Sequence, residues 1–256
     1  MSLSVIIVPC LVDNYAYLIR CEETGHTAVI DVPDAYPISN MINELGWKLN
    51  SILITHHHSD HVDGVEQLQK LTGANVIGAK SDSHRLPNLN ISVSTGDIIS
   101  IGNQQAEILN TPGHTIGHIS YFFKDSKKVF TGDSLMSLGC GRLFEGTHKM
   151  MWNTLKLFMK LPRETLVYSG HEYSYSNAKF ALSVDASNSR LKEYYKEIQD
   201  LLKDNKHTVP TSLELEFAIN PFLRSALPEF KLGLNMSQKT DQEVFQYLRI
   251  LKDNFL

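Results

Sequence analysis

The sequence predicts an α/β fold of the layered, α+β kind, with stacked β-sheets covered by helices and a helical unit at the C-terminal end. Three observations predict it. Short runs of β-branched and aromatic residues, bounded by Gly, Pro, Asn, Asp or Lys, fill the first two thirds of the chain. Helical periodicity interrupts them only occasionally, without the regular strand–helix alternation of a doubly wound parallel sheet. Beyond about Tyr173 the texture becomes helical.

The predicted strands, in order, are SVIIVP, YAYLIRC, TAVIDV, SILIT, ANVIGA, AEILNT, HISYFF, KVFTGD and TLVYSG. Between them, PISNMINELG sets Ile38, Met41, Ile42 and Leu45 on one helical face. VDGVEQLQKLTG repeats Val62, Val65, Leu68 and Leu71 before Gly73, a C-cap candidate. KMMWNTLKLFMKLP carries Met151, Leu155, Phe158 and Met159 and stops at Pro162. In the C-terminal unit, SRLKEYYKEIQDLLKDNK spaces Leu191, Tyr194, Tyr195, Ile198, Leu201 and Leu202 helically. A last helix runs through DQEVFQYLRILKDNF with Asp241 as expected N-cap. The expected domain boundary falls between residues 172 and 173, with a strand-rich domain over 1–172 and a mainly helical one over 173–256.

Composition narrows the function classes. The chain has 256 residues, 42% hydrophobic and 20% charged, enough for a full core and typical of a soluble globular protein. A net charge of −4, with no run of Lys and Arg, argues against nucleic-acid binding, which needs many phosphate contacts. Cys10, Cys21 and Cys140 suggest neither a disulfide framework nor a C-x-x-C metal pair. The N-terminal stretch lacks a signal-peptide pattern, and no apolar run reaches the roughly 18 residues of a membrane span. The expectation is a cytoplasmic monomer acting on a small molecule, without membrane or nucleic-acid partners.

THHHSDHVDG, from Thr55 to Gly64, holds four histidines and two aspartates behind a predicted strand. In an extended loop, H-x-H-x-D aims His56, His58 and Asp60 to one side, because alternate residues share a face. His57 and Ser59 point away. His61 comes from the start of the following helix, so it and Asp60 more naturally serve a second ion beside the first. Three later segments can complete two such sites, each with a candidate ligand at a strand terminus: His114 in TPGHTIGH, Asp133 in VFTGDSL and His171 in VYSGHEY. Imidazole and carboxylate suit zinc, with manganese or iron possible. His57, His118 and His148 read as non-ligands, His118 as a core or supporting residue. His26, His84 and His207 sit in polar, surface-like contexts.

THHHSDH, TPGHT, TGD and GHEY, in this order, resemble the motif series of the metallo-β-lactamase superfamily. That resemblance implies an αβ/βα sandwich with a dinuclear metal site at one edge. GCGRLFEGT and NPFLR further resemble the glyoxalase II (hydroxyacylglutathione hydrolase) family within it. The family pattern implies that His56, His58 and His114 bind one ion, that Asp60, His61 and His171 bind the other, and that Asp133 bridges them. It also implies glutathione contacts from Arg142, the backbone of Phe144, Tyr173 and Arg224. No second cation follows Arg224 closely, since Ser225, Ala226 and Leu227 come next.

The implied reaction is hydrolysis of an S-(2-hydroxyacyl)glutathione, S-D-lactoylglutathione above all, to glutathione and a 2-hydroxy acid such as D-lactate, the last step of methylglyoxal detoxification. Asp60 and Asp133 are the implied catalytic residues. Two divalent cations sharing a water lower its pKa to about 7 and supply hydroxide at neutral pH. A thiolate leaves readily, its conjugate acid having a pKa of about 8.5, so no dedicated general acid is needed. Competing readings are a mononuclear-iron persulfide dioxygenase on the same fold, a lactamase, or a non-catalytic metal- or glutathione-binding protein.

Overall fold

The computed structural model describes residues 2–255. They form two compact units: the chain up to Thr111 with Gly117–Gly132, and Pro112–Ile116 with the chain from Asp133 onward.

The first unit contains β1 (Leu3–Cys10), β2 (Asn14–Cys21), β3 (Thr27–Ile30), α1 (Ala35–Leu45), β4 (Leu49–Leu53), α2 (Ser59–Val62), α3 (Val65–Thr72), β5 (Asn75–Ala79) and β6 (Ile91–Val93). These strands make one sheet in chain order: β1, β2 and β3 are antiparallel, and β3 to β6 are parallel. The sheet is therefore mixed, with α1 as the crossover between β3 and β4, and α2 and α3 between β4 and β5. Periodicity alone did not show which strands run parallel, because β3 to β6 are only three to five residues long. Four further strands, β7 (Ile98–Ile101), β8 (Gln104–Asn110), β9 (Ile119–Phe123) and β10 (Lys128–Gly132), form an antiparallel meander.

The two layers meet through large side chains. The Tyr121 hydroxyl on β9 donates to the Ile54 carbonyl at 2.7 Å, and the rings of Tyr17 and Phe130 pack 5.5 Å apart. Each such buried side chain contributes roughly 1.5–3 kcal/mol through area removed from water. The helix expected from Val62 onward is broken into α2 and α3. Gly64 lies between them because a Cβ there would sit 2.6 Å from the Ala35 nitrogen and 2.8 Å from Val32 Cγ1. Gly73 closes α3 at φ 71°, the left-handed conformation expected of a glycine C-cap.

The second unit holds α4 (His148–Phe158), β11 (Leu166–Ser169), α5 (Ser174–Val184), α6 (Ser189–Lys203), β12 (Thr211–Ser212), α7 (Leu213–Ile219), α8 (Pro228–Gly233) and α9 (Asp241–Asp253). Its strands β11 and β12 pair antiparallel. Leu191, Tyr194 and Ile198, the apolar stripe of α6, pack with Ala178, Ala181, Ile219 and Leu138. The N-cap of α9 is Thr240 rather than Asp241: Thr240 and Glu243 form a capping box, placing the boundary one residue earlier. Among the described residues no helix is long and apolar enough to cross a membrane. The three cysteines are buried free thiols.

Candidate metal centre and substrate cavity

In the first unit, four of the expected ligands follow β4. His56 and His61 are buried, and His58 and Asp60 are partly covered. Their orientation is fixed by hydrogen bonds that also set the imidazole tautomers. The Thr55 hydroxyl lies 2.7 Å from Asp31 Oδ2 and 3.0 Å from His56 Nδ1. A carboxylate only accepts, so the single hydroxyl proton goes to Asp31, and the oxygen accepts from His56 Nδ1–H. That tautomer presents Nε2 as the ligand atom. His61 donates from Nδ1 to Asp31 Oδ2 at 2.8 Å and likewise presents Nε2.

Asp31, His56 and His61 themselves offer three donor atoms close enough for an ion. However, the Asp31 carboxylate is occupied by His61, the Thr55 hydroxyl and the Thr55 N–H at 2.8 Å. It orients ligands rather than joining them. Asp60 is aimed by Asn14, whose Nδ2 donates to both its carbonyl at 2.9 Å and its Oδ2 at 3.0 Å. The rings of His56 and His58 lie 4.7 Å apart, with Nε2 of one 3.2 Å from Nδ1 of the other. His118, fully buried, stacks on His56 at 4.9 Å and meets the Thr111 hydroxyl through Nδ1. His57, its ring edge-on to that of His58, pairs with Asp82 at 2.9 Å, and Arg85 binds the other oxygen of that carboxylate. It anchors the loop.

In the second unit, His114 sits on the Pro112–Ile116 segment, which is pinned by the Thr154 hydroxyl donating to the Pro112 carbonyl at 2.7 Å. Gly113 adopts φ 149° and packs so tightly on α4 that a Cβ would lie 2.8 Å from that of Met151. His114 donates from Nδ1 to the Arg142 carbonyl at 2.7 Å, again leaving Nε2 as the ligand atom. Asp133, at the end of β10, brings Oδ2 to 3.5 Å from His114 Nε2 and 3.3 Å from His171 Nε2. The Tyr173 ring stacks on His171 at 4.7 Å and 6°. In both units the donor set is imidazole and carboxylate without thiolate, each histidine tautomer being fixed by an acceptor at Nδ1 where one is resolved. Such a set fits a borderline transition-metal ion better than calcium or magnesium.

A cavity of about 390 Å³ opens in the same unit, lined by His114, Asp133, Arg142, Phe144, Tyr173, Ser176, Asn177, Arg249, Lys252 and Phe255, with Met136, Cys140 and Gly141. Three cations face it. Arg249 donates to the Cys140 carbonyl at 2.7 Å and to Asp253 at 2.9 Å, and Arg142 lies 3.5 Å from the same carboxylate. Lys252 Nζ reaches Ser176 at 3.4 Å. Burial, and then the positive charges of Arg249 and Arg142, push the Lys252 ammonium down to about 8.

The structure therefore brings Arg142, Phe144 and Tyr173 together with His114 and Asp133, but not Arg224. The Arg224 guanidinium pairs with Asp185 at 3.1 Å, donates to the Ala218 carbonyl and lies over the Phe230 ring, lining a separate cavity with Ser183, Ser187 and Glu229. NPFLR implied a place for Arg224 beside the substrate; the structure sets it in the other cavity, apart from His114 and Asp133. No cation follows Arg224 closely in the chain, and the further cations of this cavity come from later in it. Arg249 and Lys252 come from α9, three residues apart and thus on one helical face, a pairing readable in LRILKDNF.

Comparisons with known proteins agree with this description. The family model of the metallo-β-lactamase superfamily matches residues 11–171, and that of the hydroxyacylglutathione hydrolase C-terminus matches residues 172–255. A hydroxyacylglutathione hydrolase of Cereibacter sphaeroides is 48% identical over 255 residues, covering 100% of both chains. One from Ruegeria pomeroyi is also 48% identical over 255 residues, with 100% of both chains covered. Among solved structures, ETHE1 from Myxococcus xanthus is similar with a TM-score of 0.70 at 26% identity, over 98% of this chain and 91% of that one. The two sheets and their helices are those of the metallo-β-lactamase fold, and the chain belongs to the hydroxyacylglutathione hydrolase family.

Proposed function

We propose that the protein hydrolyses the thioester of an S-(2-hydroxyacyl)glutathione, S-D-lactoylglutathione above all, releasing glutathione and the 2-hydroxy acid. The observation that carries this reading is the cavity that has His114 and Asp133 in its wall and also Arg142, Arg249 and Lys252. A substrate with a reactive carbonyl at one end and two carboxylates on its body matches such a wall. The cations match the glutathione part of the substrate, and the choice of a thioester rests on the hydroxyacylglutathione hydrolase family.

His56, His58 and His114 would hold one divalent ion, Asp60, His61 and His171 a second, and Asp133 both. Zinc is the ion proposed, with iron or manganese as substitutes. When bound, such a pair acts as a Lewis acid and brings the pKa of water toward neutrality. The chain's own residues do the rest. Asp60, held by Asn14, accepts a hydrogen bond from the attacking water and orients it toward the carbonyl carbon. Asp31 keeps His61 in the tautomer that leaves Nε2 for ligation. Arg142, Arg249 and Lys252 hold the substrate's carboxylates, a guanidinium offering a planar fork. Tyr173 and the Phe144 backbone line the path of the glutathione chain. The leaving thiolate needs no proton donor, its conjugate acid having a pKa of about 8.5.

The proposed division of labour is a catalytic part over residues 1–172 and a helical part over 173–256 that completes the substrate site. It is supported by the two family matches, which meet between residues 171 and 172. The proposed setting is a monomer in the cytoplasm, with no nucleic-acid or membrane partner, in keeping with the free thiols and net charge of −4. The test is loss of thioester absorbance with S-D-lactoylglutathione, alongside elemental analysis. Turnover is expected, and Asp133→Ala should abolish it and lower the metal content. A metal-loaded protein without turnover sinks the reading.

A further inference from the structure

Asp133 leaves β10 into a buried segment that returns at Arg142. At its centre is a tight turn: Met136 and Gly139 exchange both backbone hydrogen bonds at 3.0 Å, and Leu138 lies in the left-handed region at φ 54°. A buried leucine at positive φ is unfavourable, and the backbone groups around it are shielded from water, so they require partners. Side chains from far along the chain supply them.

Glu216 on α7 accepts the Leu138 N–H at 2.9 Å. Asn220, the residue that ends α7, donates from Nδ2 to the carbonyls of Met136 at 3.3 Å and Gly139 at 3.1 Å, and lies 2.8 Å from Glu216 Oε2. Its own Oδ1 is fixed by the Phe222 N–H at 3.0 Å. Asn177 on α5 donates to the Ser137 carbonyl at 3.0 Å. Glu216 and Asn220 are both 0% exposed. A carboxylate in that position is costly where an apolar side chain of equal volume would pack without penalty, so its presence calls for a role that its hydrogen bonds supply.

Both ends of the clamped segment carry the site. One end is Asp133; the other is Arg142, whose carbonyl takes the His114 Nδ1–H at 2.7 Å. Resting on the hydrolase reading above, we propose that Glu216 and Asn220 are positioning residues of the enzyme. They form a buried clamp on the 136–139 turn that holds Asp133 and the acceptor of His114 in register.

The test uses full-length, metal-loaded protein and three variants, with kcat and KM on S-D-lactoylglutathione, metal affinity by chelator competition, and Tm. Asn220→Asp keeps the size but loses both N–H donors and faces Glu216 with a second carboxylate. Glu216→Met keeps the volume and loses the acceptor, while Glu216→Gln retains an acceptor oxygen. Asn220→Asp and Glu216→Met should lose about tenfold or more in kcat and in metal affinity, the loss typical when support behind a ligand is removed. Glu216→Gln should stay near the parent, whereas Glu216→Met, which strands the Leu138 N–H, should lower Tm together with kcat and metal affinity. Variants that lose Tm while kcat and metal affinity match the parent overturn the clamp. If Asn220→Asp does not fold, the Met and Gln pair decides. A metal-binding parent without turnover refutes the hydrolase reading instead, and chelator competition alone then judges the clamp.

Discussion

Lys252 illustrates how a single residue couples charge to binding. Its ammonium titrates near 8 because burial and two guanidiniums oppose the charge. A bound carboxylate needs that charge, so KM for the glutathione thioester is expected to rise as pH passes upward through about 8 and to stay low below it. Kinetics from pH 6.5 to 9.5 check this, and Lys252→Met should raise KM and flatten the profile. Arg224 gives the contrast. Its partner Asp185 is buried, so Arg224→Ala should leave KM within about twofold while costing roughly 3 kcal/mol of stability, the usual penalty for stranding a buried charge. A large KM change without destabilisation would return Arg224 to the substrate site.

At the scale of elements, the ligand-bearing loops are shaped by close backbone approaches. A Cβ on Gly141 would lie 2.0 Å from the Asp133 carbonyl oxygen and 2.9 Å from His114 Nδ1. Gly141→Ala is therefore expected to lower kcat at least tenfold and reduce the bound metal, read by steady-state kinetics and elemental analysis. The strands carrying candidate ligands at their ends were legible, because short β-branched runs punctuated by turn residues have few other readings. Ser174–Val184 was not: Ser, Asn and Tyr blur the apolar stripe of α5, although Ala178, Phe180 and Ala181 are buried. Ile91–Val93 and Thr211–Ser212 were too short to carry any period.

For the whole molecule, the buried Glu216 makes stability depend on pH. Burial raises its carboxyl to about 7 from an ordinary 4.5. The fold thus holds a proton that the unfolded chain releases, so this contribution is fully present below about pH 4.5 and is lost as pH rises through 7, roughly 3 kcal/mol in all. Urea unfolding at pH 5 and pH 8 should show the parent losing more stability across that interval than Glu216→Gln. Equal losses would mean the carboxyl titrates normally. Nothing in the spacing of LELEFAIN announced this residue, since a glutamate on a short helix reads as a solvated charge. Likewise THHHSDH pointed to candidate ligands but not to Asp31, which precedes them by a whole strand and helix yet fixes His61.

The 136–139 turn also has a temporal meaning. Its backbone partners are residues 177, 216 and 220, the last of them 84 positions beyond Met136. During synthesis the turn exists as chain long before its partners do, and contacts of such separation form late, after the loop between them has closed. On the proposed clamp, the Asp133 loop would take its held shape only once α7 has been made and docked. A chain ending before residue 213 would then hold every candidate ligand and yet lack the side chains of α7 that support the turn beyond Asp133.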